Sequence, residues 1–270
     1  MTYLNGIDAS FDILTPKKAR ALRQAGYDVF IQCLWTEAEQ PTTAVGNLRT
    51  AFNAGFPYVL GYISLAGGHL GAWHVEQGLG HLPPDVADRL HTVAIDVKLP
   101  GIRNSAIREA VDAIEMRYGL KIIYTSYNAW MSYQGNPQTF VDCLLWNGFW
   151  DGVSDVDVGF PFLPFGGWRP DQVVAEQCTG GGDVFGLFAD RNVWVKELLQ
   201  KGDDMKIDEI AVNDWGEDDR QRTRAAGRAV TVVCDDCQQE VTIPDTDCYV
   251  RCGCAGAQWS FTLQVSKSWE

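Results

Sequence analysis

Carboxylates recur where apolar, β-type runs end along the first two hundred residues. Asp8 follows YLNGI. Asp96 and Lys98 close TVAIDVK. Glu176 and Gln177 sit in VVAEQC, and Asp190 stands two residues before Asn192. Carboxyl groups gathered at one place can divide the labour of proton donor and of base or nucleophile, the division that glycosidic-bond cleavage uses. Aromatic and hydroxyl side chains fall at the same run ends: Trp35 with Glu37, Tyr62, Tyr124 and Trp146. An acidic and aromatic rim suits a hydroxyl-rich ligand with an apolar face, such as a sugar. Each acid also has a local alternative. Asp8 could cap a turn, and Asp190 could cap a helix that follows it.

A second chemistry lies near the C-terminus. The chain has eight cysteines, of which Cys33, Cys143 and Cys178 are isolated in apolar segments and read as small core residues. The other five, Cys234, Cys237, Cys248, Cys252 and Cys254, are crowded together in VTVVCDDCQQEVTI and CYVRCGCAGAQWSFTLQV. Two cysteine pairs, each flanked by β-rich runs, resemble a zinc ribbon in which two hairpins face one tetrahedral metal. Cys234, Cys237, Cys252 and Cys254 are the expected ligands, with Cys248 as the alternative because the second pair is spaced more tightly than usual. One or two disulfides with a free thiol is the competing reading. A segment this small lacks the core to fold unaided, so a structural zinc would supply its stability.

The elements that must position the acids follow from periodicity. The strands expected are 3–7, 27–34, 58–63, 92–97, 120–125, 143–147, 172–178 and 184–188. The helices expected are 15–25, 44–54, 72–78, 103–118, 137–142 and 191–200. The clearest helix places Ile107, Val111, Ile114 and Tyr118 on one face. Several strands are apolar at consecutive positions, as in a parallel sheet buried on both faces. The fold class expected is α/β, a (β/α)8-like barrel with an irregular last third and chemistry at the C-terminal strand ends, plus a small all-β zinc-ribbon domain. A doubly wound sheet is the runner-up. The barrel is expected over 1–202, a charged linker over 203–228 and the ribbon over 229–270.

Composition narrows the partners. Of 270 residues, 46% are hydrophobic and 21% charged, which suits a globular chain; 22 basic against 35 acidic side chains leave a net charge of −13, which disfavours nucleic acid and anionic lipid. No apolar run is long enough to span a bilayer, and the first residues, MTYLNGIDASFD, do not read as a secretory signal. Synthesis in a cytoplasm is therefore expected, with any action outside the cell following lysis or carriage in a particle.

Taken in order, several segments resemble glycoside hydrolase family 25, the muramidases of phage endolysins and bacterial autolysins. They are GIDAS at 6–10, VFIQCLWTE at 29–37, YVLGYISL at 58–65, AIDVK at 94–98, IIYTSYNAW at 122–130, LWNGFWD at 145–151 and EQCTGGGDVFGLFADRNVW at 176–194. The resemblance covers about residues 4–195. It implies a barrel that binds the glycan of peptidoglycan, with Asp8, Asp96 and Asp190 at the family's acidic positions and Tyr62, Trp35, Tyr124, Trp146 and Gln177 toward substrate. It also implies a general-acid Glu at the position that Lys98 occupies here. A lysine with an ordinary pKa near 10.4 is a poor proton donor at neutral pH, and acids around it are expected to hold that pKa up. Glu37 or Glu176 would have to stand in as the acid. The expected function is thus a phage-type, cell-wall-directed protein with degenerate catalysis, binding glycan or serving as a virion or tail component. An active glycosidase with a rearranged acid is the alternative. The ribbon would dock on phage structural proteins. Metal analysis of the purified chain should return about one zinc per molecule, and Cys234→Ser should release it; a metal-free, dithiothreitol-sensitive protein would contradict the assignment.

Overall fold

The computed structural model describes residues 1–36, 39–150 and 162–205, together with the strand residues 230–233, 240–243, 249–252 and 259–262. The chain divides into two units, Met1–Lys206 and Ile207–Glu270.

The first unit is a closed eight-stranded barrel in sequential order. Its strands are β1 (Tyr3–Ala9), β2 (Tyr27–Trp35), β3 (Tyr58–Ser64), β4 (Val93–Asp96), β5 (Ile122–Thr125), β6 (Leu144–Gly148), β7 (Val173–Val184) and β8 (Leu187–Val195). The helices are α1 (Pro16–Gln24), α2 (Ala44–Asn53), α3 (Gly71–Gly80), α4 (Pro84–Ala87), α5 (Asn104–Tyr118), α6 (Tyr127–Gln134) and α7 (Lys196–Met205). Thr15 caps α1, its hydroxyl accepting from Lys18 N at 3.3 Å, with Pro16 in the first turn where a missing N–H costs nothing. Ser126 caps α6 in the same way at 3.2 Å.

Side chains alternate between two apolar layers. Val29, Ile31, Leu60, Ala94, Ile122, Trp146 and Trp194 fill the barrel interior. Phe30, Leu34, Ile63, Ile95, Ile107 and Ile114 pack between the sheet and its helices. Each such side chain, fully removed from water, stabilises by about 1.5–3 kcal/mol.

The last third departs from a regular βα repeat, and here the local reading needs correction. The expected strand at 184–188 and the first half of the helix expected at 191–200 are instead a hairpin: β7 extends to Val184, a two-residue turn follows, and β8 runs back through Val195, so that the helix, α7, begins only at Lys196. Phe185 and Gly186 have φ of 55° and 76°, the left-handed pair that a tight hairpin turn requires. Strand β8 therefore lies antiparallel to both β7 and β1, while β1 through β7 run parallel. The helix expected at 137–142 is replaced by turns, and α6 forms earlier, stopping at Gly135 with φ 69°. Reversal of β8 has one consequence for the site: its N-terminal half, carrying Asp190, lies at the barrel end where the parallel strands finish.

In the second unit β9 (Val230–Val233) pairs antiparallel with β10 (Glu240–Ile243), and β11 (Tyr249–Cys252) with β12 (Trp259–Thr262). Cys234, Cys237, Cys248 and Cys254 lie outside the described residues, as does the expected linker.

The helix layer is tightest where α3 crosses α5. A Cβ placed on Gly71 would lie 1.8 Å from the Ala106 carbonyl oxygen and 2.7 Å from Ala110 N, both backbone. Neither atom can yield without moving a helix. Gly71→Ala should lower stability in urea unfolding by about 1–3 kcal/mol; an unchanged midpoint would mean the helices do not meet this closely.

Candidate active site

Three acids and one lysine converge at the strand ends. Asp8 and Asp190 are directly opposite one another in the antiparallel β1–β8 pair, a relation that brings Cβ atoms about 4.5–5.5 Å apart. Asp96 ends β4, and Lys98, two residues on, leaves the chain on the same side. Asp8 is 2% exposed.

Gln177 of β7 ties these groups together. Its Nε2 donates to Asp190 Oδ2 at 2.7 Å and more weakly to Asp8 Oδ2 at 3.4 Å. Its Oε1 accepts from Tyr124 OH at 2.6 Å and from Trp150 Nε1 at 2.8 Å. An amide offers two donors and two acceptor lone pairs, so this side chain is fully used and its orientation is determined. Asp190 Oδ1 accepts from Gly181 N, and Asp96 Oδ2 accepts from Ser64 Oγ at 2.8 Å. Tyr62 and Ser10 share a hydroxyl–hydroxyl hydrogen bond of 2.8 Å. Asp8 Oδ1 is buried with no hydrogen-bond partner among the described residues.

Lys98 Nζ stands 3.1 Å from the centre of the Tyr124 ring, a cation on an aromatic face, and 4.0 Å from Asp96 Oδ1. The expectation that neighbouring acids would hold its pKa up is reversed. Burial lowers it, and this outweighs the opposing pull of Asp96, Asp8 and Asp190. Asp8 moves the other way: burial and then the facing Asp190 push its carboxyl well above the ordinary 3.8, with Lys98 only partly opposing. Asp190 is raised as well, chiefly by burial. The tyrosine hydroxyls of Tyr62 and Tyr124 are driven up by burial and then by Asp8, so both stay protonated. The site is a dry cluster in which full ionisation of every acid is costly.

The aromatic residues inferred from sequence divide. Tyr124 and Trp146 stack face to face at 3.8 Å, Trp194 covers Trp146 from 5.1 Å, and Trp146 is wholly buried. Its indole N–H donates to Asn192 Oδ1 at 2.9 Å. Tyr62 meets both rings edge-on. Tyr62, Tyr124 and Trp146 form the floor of the site. Trp35 leaves it: a register irregularity after Cys33 turns its ring toward α3, where it meets Trp73 edge-on at 5.8 Å. Glu176, adjacent to the inward Gln177, takes the opposite face of β7, pairing in register with Val193. Glu37 lies outside the described residues. Trp150, which bonds Gln177, was not singled out from sequence; the only signal was its place two residues past the end of a buried strand.

The carboxyl shift has a measurable consequence. Burial and Asp190 raise the pKa of Asp8 in the folded state, whereas in the unfolded chain it ionises near pH 4. Between its unfolded and folded pKa values the folded state binds more protons, so this group's contribution to stability falls as pH rises. Asp8→Asn cannot ionise, and its stability relative to the parent should climb steadily from about pH 4 upward in urea titrations. Parallel pH curves for the two would show that Asp8 ionises normally.

No family model matches the sequence, and no curated protein is significantly similar to it. Solved structures do match. A bacterial lysozyme from Streptomyces coelicolor is 18% identical, with a TM-score of 0.60 over 76% of this chain and 99% of its own. A family GH25 lysozyme from Aspergillus fumigatus is 17% identical, with a TM-score of 0.58 over 74% and 99%. The CTP1L endolysin is 14% identical, with a TM-score of 0.56 over 76% and 70%. The first unit of this chain is thus an eight-stranded α/β barrel with the fold of the family 25 lysozymes.

Proposed function

We propose that the barrel is a cell-wall-directed, muramidase-like module that holds peptidoglycan glycan without cleaving it. Fold likeness to lysozymes and an endolysin supports the peptidoglycan-directed part. One observation carries the loss of cleavage: the Lys98 ammonium, seated on Tyr124 beside Asp96. The leaving oxygen of a glycosidic bond needs a proton from a positioned acid. At this position stands a group that brings no carboxyl and adds positive charge where an oxocarbenium-like transition state would develop its own. Asp96 and Asp190 remain available to accept hydrogen bonds from sugar hydroxyls.

One observation favours hydrolysis instead. Burial and the facing Asp190 raise the pKa of Asp8, the direction in which a carboxyl is tuned to serve as a general acid. In that reading the rearranged acid comes from β1.

The second unit is proposed as a zinc-holding docking module, with phage structural proteins as its partners. Its two antiparallel hairpins support this: by chain position, Cys234 and Cys237 fall between β9 and β10, while Cys252 ends β11 and Cys254 follows it. The tetrahedral thiolate set suits zinc. A phage-encoded protein carried in the virion or released at lysis fits both units.

Release of reducing ends from purified peptidoglycan tests the central claim. The parent should be silent, and Lys98→Glu should gain activity on the order of 100-fold above background, the usual worth of a general acid. Parent activity that is lost in Asp96→Asn and Asp8→Asn would instead establish the rearranged glycosidase.

A further inference from the structure

The rings on the floor of the site are closed to a ligand, but two others are not. Trp150 is 67% exposed and Phe188 is 66% exposed. Exposed aromatic rings beside a polar site offer apolar faces to a ligand that also carries hydroxyls. Both belong to the site by geometry. Phe188 precedes Asp190 by two residues in β8, so its ring leaves the strand on the same face as that carboxylate. Trp150 donates its indole N–H to Gln177 Oε1 at 2.8 Å, which holds one edge of the ring on the acid network while its faces stay open.

Between them passes the glycine run of β7. A Cβ on Gly181 would come within 2.7 Å of the Phe188 ring, and one on Gly180 would lie 3.5 Å from Trp150. Gly181 also has φ of 42° and gives its N–H to Asp190. At Gly181 the strand runs this close to Phe188 because it carries no side chain, while at Gly180 a Cβ would make ordinary contact with Trp150.

We propose that Trp150 and Phe188 are stacking platforms for the sugar rings that flank the acidic pocket, so that a glycan strand crosses the barrel mouth over the Gly180–Gly181 run. This rests on the glycan-binding reading above and names the residues that would supply its apolar contacts. Apolar ring faces meet the C–H face of a pyranose, and the adjoining carboxylates meet its hydroxyls. Phe188 N is anchored to Asp12 Oδ2 at 2.8 Å, which holds the platform in place.

Isothermal titration of the full chain with peptide-free peptidoglycan glycan strands tests this. The parent should bind, and Trp150→Ala and Phe188→Ala should each bind about five- to tenfold more weakly, while Trp150→Phe keeps most of the affinity because the ring persists. Met116→Ala, which removes a comparably exposed apolar side chain from α5, should bind as the parent does. Thermal melts unchanged from the parent would show that the barrel is intact in both alanine variants. Parent binding that both alanine variants match would overturn the platforms and leave the glycan reading standing. Absence of binding by the parent would remove the glycan reading and the platforms with it.

Discussion

The antiparallel pairing of β1 with β8 is the constraint from which the site follows. In an all-parallel barrel the eighth strand would approach the functional end with its C-terminus. Here the chain turns back after β7, and β8 presents its N-terminal half instead. Asp190 thereby lands opposite Asp8 rather than at the far end of the barrel. Two carboxyl groups forced into register inside a dry interior repel one another. The fold answers with a neutral amide, Gln177, that donates to both, and the pKa of the more buried partner rises.

Lys98 completes that arrangement. Its charge would seem an easy complement to three acids, yet among the described residues the carboxylate oxygen it pairs with, on Asp96, is at the outer limit of an ion pair, and the ammonium sits on an aromatic face. Withdrawal from water dominates, so the amine loses basicity while Asp8 loses acidity. An amine whose basicity is lowered beside a carboxyl whose acidity is lowered differs from the carboxylic acid and carboxylate that glycosidases employ. The cluster is better suited to holding a polyhydroxylated ligand than to delivering a proton on demand.

The parallel strands were legible because residues buried on both faces are apolar at consecutive positions, as in Val29–Ile31 and Ile122–Ile123. The reversed strand was not. RNVWVKELLQ carries an amphipathic helical pattern, and only tertiary pairing makes its first five residues extended. Similarly, α6 contains Tyr, Asn, Trp and Ser, modest helix formers, and depends on the Ser126 cap and on burial of Trp130. Among site residues the acids stood out because strand ends are readable. The sign of the Lys98 shift was not, since it depends on how much water the finished fold removes. Ring exposure is likewise a property of the assembled surface: Trp146 and Trp150 look alike in sequence, yet one is sealed in the core and the other open.

Barrel closure also governs how the polypeptide is made. The β1–β8 ladder joins Tyr3–Asp8 to Asp190–Val195, nearly opposite ends of the unit. During synthesis no ladder can form there until Val195 has emerged, so β1 and β7 wait as open edges while the intervening helices assemble. Contacts this distant in sequence make folding slow, and unpaired edges invite association between nascent chains. The chain that follows Val195 gives the closing strand time to dock before translation ends, so residues beyond the barrel act as a kinetic interval as well as a separate unit.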